Sequence, residues 1–175
     1  MRTATSTSLF TIAAIPEDTL ARMRAAGVDD LGHDLVVTEA GGGEPLRCCL
    51  READPGERIG LIAYRPFPWD GVYAEVGPVF VHADDCGGYP ETDSYPAGFR
   101  HRQQIFRAYG HDRSIVDSRI VEGADAEPVL AELLARPDVD FVHSRNVAYG
   151  CFMFVVERSE RSERSEGSEG SERSG

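Results

Sequence analysis

The sequence has no lysine; all eighteen basic residues are arginine. Schiff-base catalysis needs a lysine amine, and the Walker phosphate loop needs its lysine, so both chemistries are excluded. Nor does any stretch reach the 18 or more apolar residues of a membrane-crossing helix. The opening residues, Met-Arg-Thr-Ala-Thr-Ser-Thr-Ser-Leu-Phe, lack the apolar run of a secretory signal. These absences lead to the expectation of a soluble, cytoplasmic protein with no membrane partner. No G-x-S-x-G, H-E-x-x-H, G-x-G-x-x-G or EF-hand loop occurs, so no motif decides between an enzyme and a binding protein. Cysteine is scarce: Cys48, Cys49, Cys86 and Cys151 are the only four. In a reducing compartment they are thiols, and adjacent residues such as Cys48 and Cys49 do not suit normal disulfide geometry.

Positive charge is also in short supply. The net charge is −12, of which residues 159–175 contribute −2. Nucleic-acid binding is driven by counterion release at basic side chains, so an acidic body argues against a nucleic-acid partner.

A chain of 175 residues suits one domain. The expected domain spans residues 1–158, followed by a tail at 159–175. The tail repeats Ser-Glu-Arg and then Ser-Glu-Gly with no apolar residue, so it cannot offset the entropy of ordering and is expected to be disordered. Pro16-Glu-Asp opens a helix that carries Leu20 and Met23 and stops at Gly27. A second helix spans Ala124 to Arg136, with Val129, Leu130, Leu133 and Leu134 on one face and Pro137 as its stop. Extended segments are expected at Leu9–Ile15, Leu35–Thr38, Leu46–Arg51, Arg58–Tyr64, Gly77–Ala83, Gln103–Tyr109, Ser114–Glu122, Val139–Val147 and Cys151–Glu157. Asp54-Pro55-Gly56-Glu57 is a turn, and the last four segments read as two hairpins. The expected fold is α+β: a mostly antiparallel sheet of about eight strands with two packed helices.

The functional candidates come from strand alternation. Phe141, His143 and Arg145 share one face of a strand whose start is apolar. Phe80 and His82 share a face of another. Polar groups at core positions must be paired or they cost free energy, so a polar pocket is expected at one end of the sheet. Three chemistries fit such a pocket. Two His and two Cys, from His82-x3-Cys86 and His143-x7-Cys151, form a ligand set that zinc accepts. A Cys nucleophile, Cys151 or Cys86, could work with a His base. Finally, Arg100-His101-Arg102 and Arg107 form the most basic stretch of the body, with Arg119 and Arg145 across the sheet. Arginine presents a planar fork to carboxylate or phosphate, although surplus Asp and Glu compete for the same forks.

Several blocks among these residues also resemble a known family. Gly77-Pro-Val-Phe-Val-His82, Arg107-Ala-Tyr-Gly, Ile115-Val-Asp-Ser-Arg-Ile-Val-Glu-Gly123, Phe141-Val-His-Ser-Arg-Asn146 and Gly150-Cys151 occur in the order found in the domain-of-unknown-function 1203 family. Cys48, Pro55-Gly56-Glu57 and Tyr64 fit its pattern too. The resemblance extends over most of residues 9–158. Gly110 stands where family members often have Asp, and Cys86–Gly98 is longer than the family pattern. The resemblance implies a bacterial protein and no particular activity; it marks His82, Tyr109, His143, Asn146 and Cys151 as positions worth testing.

The reading favoured by the sequence is a small-molecule pocket, binding or enzymatic, for an anionic ligand. His82, His143 and Cys151 are its catalytic candidates, and Arg102, Tyr109, Arg145 and Asn146 its binding residues. The alternatives are a non-catalytic interaction protein and a zinc-stabilised domain built on His82, Cys86, His143 and Cys151. No cofactor is expected outside the zinc alternative.

Overall fold

The computed structural model describes residues 9–90 and 93–159. The tail expected to be disordered lies, beyond Ser159, outside the described residues. In chain order the elements are β1 (Phe10–Ala13), α1 (Glu17–Ala26), β2 (Val36–Glu39), β3 (Pro45–Leu46), β4 (Arg51–Glu52), β5 (Arg58–Tyr64), β6 (Gly77–His82), β7 (Gln103–Tyr109), β8 (Ile115–Glu122), α2 (Ala126–Ala135), β9 (Phe141–Asn146) and β10 (Phe152–Arg158).

The fold is α+β, but the strands form two sheets, not one of about eight strands. One sheet is antiparallel, in the order β1-β10-β9-β7-β8; the other is mixed, in the order β2-β5-β6-β3-β4. The middle of the chain builds the mixed sheet and its two ends build the antiparallel one. The reason lies in the connections. Hairpin turns identify only adjacent partners, whereas the long segment between β6 and β7 carries the chain from one sheet to the other. Two further strands, β3 and β4, are only two residues each, too short to show alternation.

The antiparallel sheet is covered on one face by α2. Leu130, Leu133 and Leu134 recur at helical spacing and pack with Phe106, Ala108, Val142, Phe154 and Val156. On its other face, Phe141, His143 and Phe152 meet Phe67 and Trp69 of the loop that follows β5 and the core of the mixed sheet. All six residues of β9 are buried as a result. The mixed sheet packs Ile59, Ile62, Val79 and Val81 against Leu20 and Met23 of α1, and Phe152 of β10 reaches this second core. The α1 helix ends at Gly27, whose φ of 72° supplies the left-handed cap and whose N–H donates to Met23 O. Among the described residues, no helix is long and apolar enough to cross a membrane.

One local feature positions the site. The expected strand Leu46–Arg51 breaks into β3, a single helical turn and β4. Leu50 N–H donates to Leu46 O at 3.0 Å, and Leu50 sits at φ 54° to reverse the chain. β3 then pairs with β6 in parallel, Leu46 opposite Phe80. The turn that follows Leu46 then sets Cys48 beside His82, the last residue of β6.

Candidate functional site

Two regions of chemical interest emerge from this framework. The first is a sulfur and imidazole cluster at the end of β6. Cys48, Cys49, His82 and Cys86 bring their ligand atoms within 4.8 Å of one another. Cys48 and Cys49 project from the turn between β3 and β4, His82 is the last residue of β6, and Cys86 lies on the loop that follows. The Sγ atoms of Cys48 and Cys49 are 3.9 Å apart, and His82 Nδ1 is 3.4 Å from the first and 3.6 Å from the second. The backbone N–H of His82 donates to Cys48 Sγ at 3.2 Å. The other ring nitrogen, Nε2, faces Arg51 Nη2 at 3.1 Å and Glu57 Oε1 at 3.4 Å.

Around this cluster the electrostatics are ordered. Arg51 grips Glu57 through two hydrogen bonds of 2.9 and 2.6 Å. That fork, helped by the Asp54 N–H, holds the Glu57 carboxyl down at about 2. The hydrogen bond between the two thiols pushes Cys48 up, with burial adding to it, and holds Cys49 down, with Arg51 assisting. Burial pushes Cys86 up. Cys48 is fully buried, whereas Cys49, His82 and Cys86 are partly accessible. Two cysteines in contact with one imidazole, itself in contact with a carboxylate, form an arrangement that binds soft metal ions or supports thiol chemistry.

The second region is a pair of adjoining clefts, each of about 460 Å³, that share Pro78, Tyr149 and Cys151 in their walls. Arg47, Arg102 and Asn146 line one. Arg107, Arg145 and Glu75 line the other, where Glu75 bridges the two arginines. Arg47 is buried, with 3% exposure. Its Nε donates to Phe152 O at 2.8 Å and its Nη1 to Pro45 O. Burial, with the repulsion of Arg102, lowers its pKa to about 10, against the opposing pull of Cys151.

The residues singled out from sequence therefore divide. His82 and Cys86 come together, but in the company of Cys48 and Cys49. His143 and Cys151, the other half of the expected ligand set, lie elsewhere. The two imidazoles have different surroundings: His82 stands in the sulfur cluster, whereas His143 is enclosed by aromatic rings. His143 sits among Phe67, Tyr109, Phe141 and Phe152 at ring-centroid distances of 4.7 to 5.1 Å. Burial, followed by Arg145 and Arg107, lowers its pKa to about 3, so the ring is neutral at ordinary pH. Tyr109 is buried in the same aromatic cluster. Arg102, Asn146 and Cys151 share the first cleft, while Arg145 lies in the second. The basic stretch is largely matched by carboxylates: Arg100 by Glu127, Arg102 by Glu52, Arg107 by Glu75, and Arg119 by Asp117 and Glu132.

Sequence reasoning missed Cys48 and Cys49 as partners of His82, Glu57 and Arg51 as the groups behind the ring, and Arg47 as the buried cation. The adjacent cysteines were the available signal. What they lacked was a partner, and the parallel pairing of β3 with β6 supplies it.

No curated protein and no solved structure matches the chain. The family described as Protein of unknown function (DUF1203) matches residues 43–158. That match takes in the four residues of the cluster and Arg47, Arg102, Asn146 and Cys151 of the cleft. It spans most of the chain, and the protein belongs to the DUF1203 family.

Proposed function

We propose that the protein is a zinc-binding domain whose ion is held by Cys48, Cys49, His82 and Cys86 and serves a structural role. The observation that carries this reading is the spacing of the donor atoms. On a tetrahedron with Zn–S of about 2.3 Å and Zn–N of about 2.0–2.1 Å, ligands stand about 3.8 Å apart sulfur to sulfur and about 3.6 Å apart sulfur to nitrogen. The corresponding separations here are 3.9 Å between the two sulfurs and 3.4 and 3.6 Å from sulfur to Nδ1. Cys86, within 4.8 Å of the others, supplies the fourth corner from its loop.

The surroundings support the same reading. With a metal on Nδ1, the ring proton of His82 sits on Nε2, 3.4 Å from Glu57 Oε1, and Arg51 Nη2, a donor 3.1 Å from the same nitrogen, must direct its N–H bonds to Glu57 instead; metal-bound histidines are commonly oriented by such a carboxylate. The His82 N–H to Cys48 Sγ satisfies a thiolate lone pair, and Arg51 stands beside a centre whose three thiolates would leave it with one negative charge. Four protein ligands leave no open position for water, which is the mark of a structural and not a hydrolytic zinc. The ion would tie the β3–β4 turn to the end of β6 and its loop, so its binding energy is folding energy.

The test is metal analysis of the purified full-length protein, together with thermal unfolding before and after chelation. The expected result is one zinc per chain and a midpoint lowered by chelator and restored by zinc. Cys86→Ser, a substitution at a partly exposed loop position, is expected to lose at least tenfold in zinc affinity. A metal-free protein indifferent to both chelator and zinc contradicts the proposal. If such a protein also alkylates selectively and rapidly at Cys49, the cluster is instead a Cys49, His82, Glu57 nucleophilic arrangement.

A further inference from the structure

We infer that the cleft lined by Arg47, Arg102, Asn146 and Cys151 is a binding site for a small monocarboxylate with an apolar body. This site is separate from the sulfur cluster and does not depend on it. Among the described residues, Arg47 makes no ion pair, although it is buried and the body of the chain carries a surplus of acids. Its Nε and Nη1 are taken by the carbonyl oxygens of Phe152 and Pro45. Its remaining nitrogen, Nη2, has no acceptor among the described residues and is not among the buried polar atoms left without a partner, so it reaches the cleft surface. A buried charge without a partner is costly. Here it stands in the wall of a cleft large enough for a ligand of cofactor-fragment size.

The neighbours define what that ligand is. Asn146 Oδ1 accepts the Tyr149 N–H at 3.0 Å, which leaves its amide NH2 to donate towards the cleft. Arg47 Nη2 and the Asn146 amide are therefore both donors, the pattern that two oxygens of a carboxylate fit. Arg102 adds positive potential to the cleft, although its Nη1 already donates to Glu52 Oε1 at 2.9 Å. Glu44 also lines the cleft, its oxygens held by the N–H groups of Gly41 and Gly42 at 2.8 and 2.9 Å. Two carboxylates nearby disfavour a dianion such as phosphate and leave room for a single negative charge. Leu61, Pro78, Phe80 and the ring of Tyr149 complete the wall, and these apolar surfaces select a ligand with an apolar body over acetate or formate.

Benzoate, octanoate, benzamide and inorganic phosphate serve as probes in a thermal-unfolding titration of the full-length protein. Benzoate or octanoate at about one hundred times its Kd is expected to raise the midpoint by about 5–10 °C. Benzamide, which keeps the shape and loses the charge, and phosphate are expected to leave it unchanged. Two variants separate the site from general effects. Arg47→Met is expected to weaken benzoate about 10–100-fold. Asn146→Asp keeps the acceptor for Tyr149 N–H but turns a donor into a negative charge, and is expected to abolish binding. Both variants are checked for retention of the native fold by circular dichroism and of the metal content of the parent protein, because Arg47 adjoins Cys48. The inference is overturned if neither acid shifts the midpoint, if benzamide or phosphate shifts it as much as the acids do, or if Asn146→Asp retains benzoate affinity.

Discussion

At the scale of single residues, His143 shows how burial and charge decide a role. Its alternation with Phe141 and Arg145 was legible in the sequence, and so was the inward face they share. What was not legible was the company: Phe67 and Tyr109 come from other segments, and together with Phe141 and Phe152 they bury the imidazole, with only the like charges of Arg145 and Arg107 close by. His143 Nδ1 has no hydrogen-bond partner among the described residues, and its pKa falls from 6.5 to about 3. The unfolded chain therefore binds a proton that the folded one refuses. This contribution to stability is complete above pH 6.5 and is lost progressively as the pH falls towards 3. His143→Phe removes the titration and keeps an aromatic ring in an aromatic cluster. Relative to the variant, the parent protein is expected to lose on the order of 2 kcal/mol between pH 6.5 and about pH 5. Denaturant unfolding of both proteins at the two pH values checks this; parallel losses in the two would contradict it. The arginines teach the converse lesson. Competition from surplus acids was foreseeable and describes Arg100, Arg102, Arg107 and Arg119. Arg47 has no such carboxylate among the described residues: backbone carbonyls hold its guanidinium, as they do that of Arg158, and its burial was not legible because the segment that carries it is a helical turn and not the strand its composition suggests.

Among the elements, periodicity identified the long ones. Gln103–Tyr109 and Arg58–Tyr64 are strands with the expected ends, and both helices lie where their caps and stops put them. The segment Leu46–Arg51 was misread as one strand because its apolar content resembles one, whereas Leu50 takes a positive φ and folds the chain into a helical turn. The sulfur cluster depends on that turn. Close packing at another junction yields a prediction of its own. Gly123 follows β8, and its N–H donates to Arg102 O at 2.9 Å. A Cβ there would lie 2.4 Å from Phe99 O and 2.8 Å from Arg100 Cα, both backbone atoms. Gly123→Ala must therefore push β8 away from the segment that leads into β7. A destabilisation of about 3 kcal/mol or more is expected, read as a midpoint lowered by about 6 °C or more. An unchanged midpoint would mean that this junction yields freely.

For the whole molecule, two sheets share the work. The antiparallel sheet and α2 supply the larger core, and the mixed sheet carries the sulfur cluster on its β6 end while contributing one wall of the cleft. Sequence patterns could not show this division, because alternation tells which face of a strand is buried and not which strand lies beside it. The parallel pairing of β3 with β6 brings together residues 34 apart in the chain, and an ion at that point would close the loop between the Cys48 turn and Cys86. The structural role of the cluster depends on that ion, and the most direct measurement of it is X-ray absorption at the zinc edge of the purified full-length protein. It is predicted to give a first shell of three sulfurs at about 2.3 Å and one nitrogen at about 2.0–2.1 Å. A shell of oxygen and nitrogen without sulfur, or a protein that takes up no zinc at all, would contradict it.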